Sequence, residues 1–225
     1  MKIRSLDEFE TALDIEYSWR KREITTLKFN LKGARRHQQE VFFRSGVVLL
    51  YAHWEGLVKF AAKSYLRYLN YQGASYRSIK PCFLFFAAKS KLDSPGKLNM
   101  QNFPVFEKTQ RIFTVPLDDK FNVDPETGVS TRENQNLTSF EFKCLIGKLG
   151  LHYRPEFELR EKLLDEKLMD YRNRVAHGES LRDDVEDYEA TFDFLAKEIL
   201  ELLELLRDEF SESIRDKRFL HAAIA

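Results

Sequence analysis

The stretch from Gln38 to Leu69, QQEVFFRSGVVLLYAHWEGLVKFAAKSYLRYL, decides the fold. Val47, Leu50, Tyr51, Trp54, Leu57, Val58, Ala61, Tyr65 and Leu69 recur at intervals of three and four residues with no proline among them, which is the repeat of a long helix that buries one face. Working outward, Phe9, Leu13, Tyr17, Ile24, Leu27 and Leu31 form a second, less regular stripe that Gly33 closes. Downstream, Thr138 or Ser139 can cap a short helix running through Phe142, Leu145, Ile146 and Leu149 to Gly150. After Pro155 the spacing predicts a helix with Leu159, Leu163, Leu164, Leu168, Tyr171 and Val175 on its core face, stopping at Gly178. Asp183 and Asp184 then start a long helix carrying Val185, Tyr188, Phe192, Leu195, Ile199, Leu202, Leu206 and Phe210, with Glu198, Glu201, Glu204 and Asp208 on its wet side. That helix suits either the spine of the bundle or a dimerisation surface.

The predicted class is therefore all-α, a helical bundle, interrupted once. Pro81 to Ala88 is apolar on all sides and fits a short buried helix. From about 91 to 137 the breakers Pro95-Gly96, Pro104, Pro116, Asp124-Pro125 and Thr127-Gly128 erase any helical period. Arg111–Val115, Lys120–Val123 and Gly128–Thr131 are candidates for a small β-hairpin. We read residues 1–225 as one domain with an irregular insert at 91–137. A loop of that length without structure of its own is unusual unless it is functional.

Composition narrows the function. The chain has 225 residues, 43% of them apolar, and no net charge, which argues against nonspecific coating of nucleic acid by a basic surface. The average hides a gradient: residues 1–90 hold 16 Lys/Arg against 8 Asp/Glu, whereas residues 151–225 hold 12 against 20. Either the two ends neutralise each other across a bundle or a dimer interface, or the basic third guides a polyanion toward a site. The N-terminus lacks an apolar leader and no run approaches the roughly 18 apolar residues of a membrane span, so a cytoplasmic protein without membrane contact is expected. Cys82 and Cys144 have no CxxC spacing and read as buried thiols. No Gly-rich phosphate loop, HExxH or nucleophile elbow is present, and no metal site or cofactor is expected.

Chemistry concentrates at the end of the helix predicted after Pro155: Asp170, Arg172, Asn173, Arg174 and His177, followed by Gly178, Glu179 and Ser180. One explanation is capping, because Arg and His in a last turn complement the macrodipole and Gly commonly follows it. The other is a site. Asn173 and His177 are i,i+4 neighbours, so the amide could fix the imidazole tautomer. Arg172 lies five residues from His177, about 140° round a regular helix. A site using both must distort the helix end or combine the helices of two subunits, each protomer of a two-fold dimer contributing to one cleft. An imidazole can take a proton from a ribose 2′-hydroxyl or give one to a leaving 5′-oxygen, and a guanidinium can hold the phosphate as charge builds on it.

Arg, four to six residues, then His near the end of a helix in a small bundle resembles the signature of the HEPN superfamily. Arg172, Asn173 and His177 match it with four intervening residues. Ala176-His177-Gly178-Glu179 is similar to members found in toxin–antitoxin and phage-defence loci, and Tyr51-Ala52-His53-Trp54-Glu55-Gly56 resembles the aromatic-Trp-Glu helix of some of them. The resemblance implies a metal-independent endoribonuclease that dimerises to form its site, with RNA as substrate and an antitoxin or defence-complex partner. One toxin branch carries a regulatory Tyr two residues after the His; Glu179 stands there in this chain, so that regulation is not implied. The rival readings are a catalytically silent HEPN module that docks RNA or a protein, and a structural subunit of a larger defence complex. Glu55 is a candidate to orient Arg172, with Arg174 and Asp170 as further supporting residues. His53 reads as structural, the runs Arg20-Lys21-Arg22 and Arg35-Arg36-His37 as solvated charge or phosphate contacts, and Asn136-Leu137-Thr138 as a helix entry.

Overall fold

A computed structural model of the chain describes residues 2–86, 117–129 and 136–221. Three long helices dominate: α1 (Leu6–Lys32), α2 (Arg36–Gln72) and, at the other end of the sequence, α7 (Tyr188–Arg215), each packed on the other two. Between them come a tight turn at Pro81–Phe83, α3 (Pro125–Val129), α4 (Ser139–Lys148), α5 (Pro155–Glu158), a widened π turn at Leu163–Met169 and α6 (Asp170–Ala176). The class is all-α, as the periodicity predicted.

The start of α1 is set by Ser5, whose hydroxyl accepts from the Glu8 N–H at 3.1 Å, with Asp7 and Glu8 in the first turn. Such a cap contributes about 1 kcal/mol. Phe9, Leu13, Ile24 and Leu31 are buried from this helix, and the whole predicted stripe of α2 is buried with them. Gly46 lets α2 and α7 approach closely: a Cβ there would stand 2.5 Å from the ring of Phe192. Antiparallel α1 and α7 are also joined by an ion-pair ladder, Glu10–Arg215 at 3.2 Å, Asp14–Arg207 at 2.7 Å, Lys21–Glu204 at 3.8 Å, Lys28–Asp193 at 2.9 Å and Lys32–Glu189 at 3.9 Å. Three of the five pairs join a base of α1 to an acid of α7 and two run the other way, so the ladder fastens the two helices while neutralising little of the charge gradient.

Several expectations are corrected. The helix after Pro155 is not continuous: α5 ends at Glu158, and Leu159, expected on the core face, is 80% exposed. The chain turns at Leu159 and Arg160, ahead of the π turn, and Phe157, Leu164 and Leu168 supply the burial. Asp183 and Asp184 do not open the last helix. Asp187 does, its carboxylate accepting from the Ala190 N–H at 2.9 Å, while Leu181 and Val185 fill the core from the preceding loop.

The described residues of the candidate hairpin pair elsewhere. Lys120 bridges Ser75, and the N–H groups of Tyr76, Arg77 and Phe121 bond to Asp119, Leu117 and Ala74 carbonyls at 3.0, 2.7 and 2.7 Å. Gly128 and Val129 end a helix instead of a strand. Side chains of α2 explain the path: Asn70 bonds both backbone groups of Val123, at 2.8 and 3.1 Å, and Lys63 and Arg67 hold Glu126. Arg111–Val115, Pro95-Gly96, Pro104, Pro116, Ser130 and Thr131 lie outside the described residues. At Pro81, a tight turn leads into one further turn that buries Phe83 and Phe86 and exposes Phe85; Ala87 and Ala88 also lie outside.

Candidate functional site

An aromatic cluster places the motif. Trp54 meets Phe142 of α4 edge-on at 4.9 Å, and Phe142 meets Phe157 of α5 at 5.2 Å. The π turn is tied to the same region because Asp165 accepts the N–H of Ser139 at 2.8 Å and its hydroxyl as well, at the start of α4. From there α6 lies along α2, with Tyr171 edge-on to Phe43 at 6.0 Å.

The end of α6 is closed by backbone alone. Gly178, at φ +81°, turns the chain so that its N–H reaches the Val175 carbonyl at 3.0 Å and the Glu179 N–H reaches Arg174 at 2.9 Å, the two bonds of a Schellman cap. His177 contributes its backbone N–H to Asn173 at 3.0 Å. Its side chain is exposed and, among the described residues, makes no hydrogen bond or ion pair. Side-chain capping therefore does not account for the imidazole.

Arg172 is built differently from its neighbours. Arg154, Arg160, Arg174, Arg182, Arg207, Arg215 and Arg218 each have a carboxylate within ion-pair distance. Arg172, the other arginine of the acidic C-terminal third, has none among the described residues. Its guanidinium sits 5.1 Å from the centroid of the Tyr51 ring and donates to Asn173 Oδ1 at 2.8 Å. Both partners are neutral, so the positive charge remains available to an anion. Arginine offers donors only. The Asn173 atom facing it is therefore the oxygen, and that oxygen also accepts from Asn136 Nδ2 at 3.0 Å.

Tyr51 is 3% exposed, and its hydroxyl accepts the Leu137 N–H at 2.6 Å. Burial pushes its phenol up to about 12, and the nearby Glu55 carboxylate adds to the shift. Tyr51 and Asn136 escaped the sequence reading as site residues. Tyr51 looked like one more position on a core stripe, and Asn136 reaches Asn173 from 37 positions away, where no local period reports.

The other candidates take other places. Asn173 does not hold His177 through its side chain; its oxygen is occupied by Arg172 and Asn136. Glu55 pairs with Lys59 at 2.6 Å and lies near the Tyr51 phenol, and among the described residues it makes no ion pair with Arg172. Arg174 is committed to the loop after the motif, to Asp184 at 2.7 Å, Glu179 at 3.2 Å and the Ser180 carbonyl at 3.0 Å, with Asp170 at 4.0 Å. His53 is buried beside Glu23 at 2.9 Å and edge-on to Trp19, and burial lowers its pKa. Arg36 and His37 line an open cleft of about 1020 Å³ with Glu40, Arg182 and Tyr188. Cys82 and Cys144 are free and half-buried. Among the described residues no helix is long and apolar enough to cross a membrane, and no group of three or more His, Cys, Asp or Glu is placed to hold a metal ion.

A family model described as RiboL-PSP-HEPN matches residues 15–215, a span that includes α2, α7, the greater part of α1 and the motif. The chain belongs to this HEPN family. HEPN domains are often ribonucleases and commonly dimerise and bind RNA, so membership supports a ribonuclease-type or nucleotide-related function. No curated protein and no solved structure gives a significant match to this HEPN chain.

Proposed function

We propose that this HEPN protein is a metal-independent endoribonuclease, acting in the cytoplasm as a toxin or antiviral defence effector, and that residues 1–225 are one domain with an insert at 91–137. The observation that carries the reading is the contrast at α6: an arginine without a carboxylate, five residues from an exposed histidine whose ring has no partner among the described residues. A structural arginine in so acidic a segment would be expected to pair, as its neighbours do.

In the proposed reaction one His177 takes the proton of a ribose 2′-hydroxyl, the 2′-oxygen attacks the adjacent phosphorus, and the bond to the 5′-oxygen breaks as a second His177 protonates it. Arg172 holds the non-bridging oxygens as charge builds on them. The products are a 2′,3′-cyclic phosphate and a 5′-hydroxyl, and DNA is not a substrate. The distortion of the helix lies upstream of Arg172, in the π turn, while α6 itself is regular up to Ala176. Arg172 and His177 of one protomer therefore diverge by about 140°, which favours a two-fold dimer whose partner copy completes the cleft.

The test is purified protein incubated with total RNA in excess EDTA, comparing wild type with His177→Ala and reading the new 3′ ends. Cyclic-phosphate ends from the wild type alone are expected. Full activity in His177→Ala, or cleavage that needs a divalent ion, overturns the mechanism. No cleavage by a folded wild-type dimer favours the rival, a HEPN module that binds RNA or a partner protein without cutting.

A further inference from the structure

Residues 136 and 137 join the bundle directly over the motif. Leu137 is 2% exposed, and its N–H is held by the Tyr51 hydroxyl, the same tyrosine whose ring faces Arg172. One residue earlier, Asn136 donates to Asn173 Oδ1, the same atom that receives Arg172. Two donors from opposite partners on one carbonyl oxygen fix the orientation of that amide. With only one of them, Asn173 and the long arginine side chain would be free to turn together.

We propose that Asn136 is a positioning residue for Arg172, acting through Asn173 to hold the guanidinium over Tyr51 where it meets the scissile phosphate of RNA. The catalytic consequence rests on the ribonuclease reading; the clamp itself does not. With its oxygen occupied twice, Asn173 keeps an NH₂ that has no partner among the described residues.

Four variants test this: Asn136→Ala, Asn136→Asp, which keeps the size but replaces the donor by a charged acceptor, Asn173→Ala, and Asn136→Ala combined with Asn173→Ala. Cleavage of a fluorogenic RNA covering every dinucleotide step gives kcat and KM, and side-chain ¹⁵N NMR, assigned by Arg172→Lys, reports rotation of the Arg172 guanidinium. Loss of one neutral hydrogen bond predicts kcat lower by about three- to tenfold in Asn136→Ala, with KM little changed and guanidinium rotation faster, and a loss no smaller in Asn136→Asp, whose carboxylate faces the Asn173 oxygen as acceptor against acceptor. In the Asn173→Ala background, Asn136→Ala should cost nothing more. Wild-type kcat in Asn136→Asp, or losses that multiply in the double variant, overturns the role. If the wild-type protein cuts no RNA, the ribonuclease reading fails by itself and the clamp is judged by NMR: unchanged Arg172 rotation in Asn136→Ala overturns it, and faster rotation supports it.

Discussion

Replacing Arg172 by alanine should separate function from stability. Among the described residues the guanidinium makes one cation–π contact and one hydrogen bond to a neutral amide. The first contributes about 0.5–2 kcal/mol and the second about 1 kcal/mol. No buried acceptor is orphaned by the change, because Asn173 Oδ1 keeps the Asn136 donor. The stability loss is therefore about 2 kcal/mol, or roughly 4–8 °C in Tm for a chain of this size. Cleavage should fall far more, by about 10²–10³-fold, the usual cost of removing a donor to an oxyanion. Thermal unfolding and cleavage in EDTA, run on the same preparation well below Tm, measure both. Arg207→Ala removes a comparable charge from the α1–α7 ladder and should leave cleavage unchanged. Wild-type cleavage by Arg172→Ala would refute the assignment, and so would a loss equalled by Arg207→Ala.

Gly178→Ala meets no steric obstacle, but its φ of +81° is unfavourable for any side chain; a loss of about 1 kcal/mol in urea unfolding is expected. Glu209 is 1% exposed and holds Arg154 at 2.9 Å, Arg218 at 3.0 Å and the His152 N–H at 2.7 Å. Removing its carboxylate as Glu209→Ala should cost about 3 kcal/mol or more, readable in the same denaturation. At alkaline pH the raised phenol of Tyr51 sets a sign. The folded state keeps its proton up to about 12, whereas an unfolded tyrosine releases it near about 10, so stability is fully present below that lower value and falls as pH rises between the two. Burial raises the Tyr17, Tyr65 and Tyr153 phenols in the same direction. Tyr51→Phe should therefore flatten only part of the alkaline slope.

How much of this was legible depends on the range of the interaction. The helices α1, α2 and α7 announce themselves because a helix buries residues three and four apart, and that spacing survives in the sequence. That Arg172, Asn173 and His177 stand at the end of a helix was legible from local sequence as well, because Gly178 marks the stop. Leu159 misled because it falls in the turn just after α5, a break in the helix that leaves no glycine or proline in the sequence to mark it. Asp183 and Asp184 misled because Leu181 and Val185 are buried from a loop at spacings a helix would also use. The Arg172 clamp was illegible for a different reason. Its members Tyr51, Asn136 and Asn173 meet only after the bundle has formed, and the polar atoms that join them carry no periodicity.

The ladder between α1 and α7 also bears on the order in which the molecule can form. Glu10 and Arg215 are 205 positions apart, and Phe9 and Phe210 bring their rings to 6.2 Å beside them. Contacts of such separation are late and slow to close, because the intervening chain must first give up its freedom. On the ribosome α1 and α2 emerge long before α7, and until then Phe9 and Leu13 lack the surface that buries them. Completion of the scaffold beneath Arg172 and His177 is thus tied to synthesis of the last helix, so an unfinished chain would carry the motif without the bundle that holds it in place.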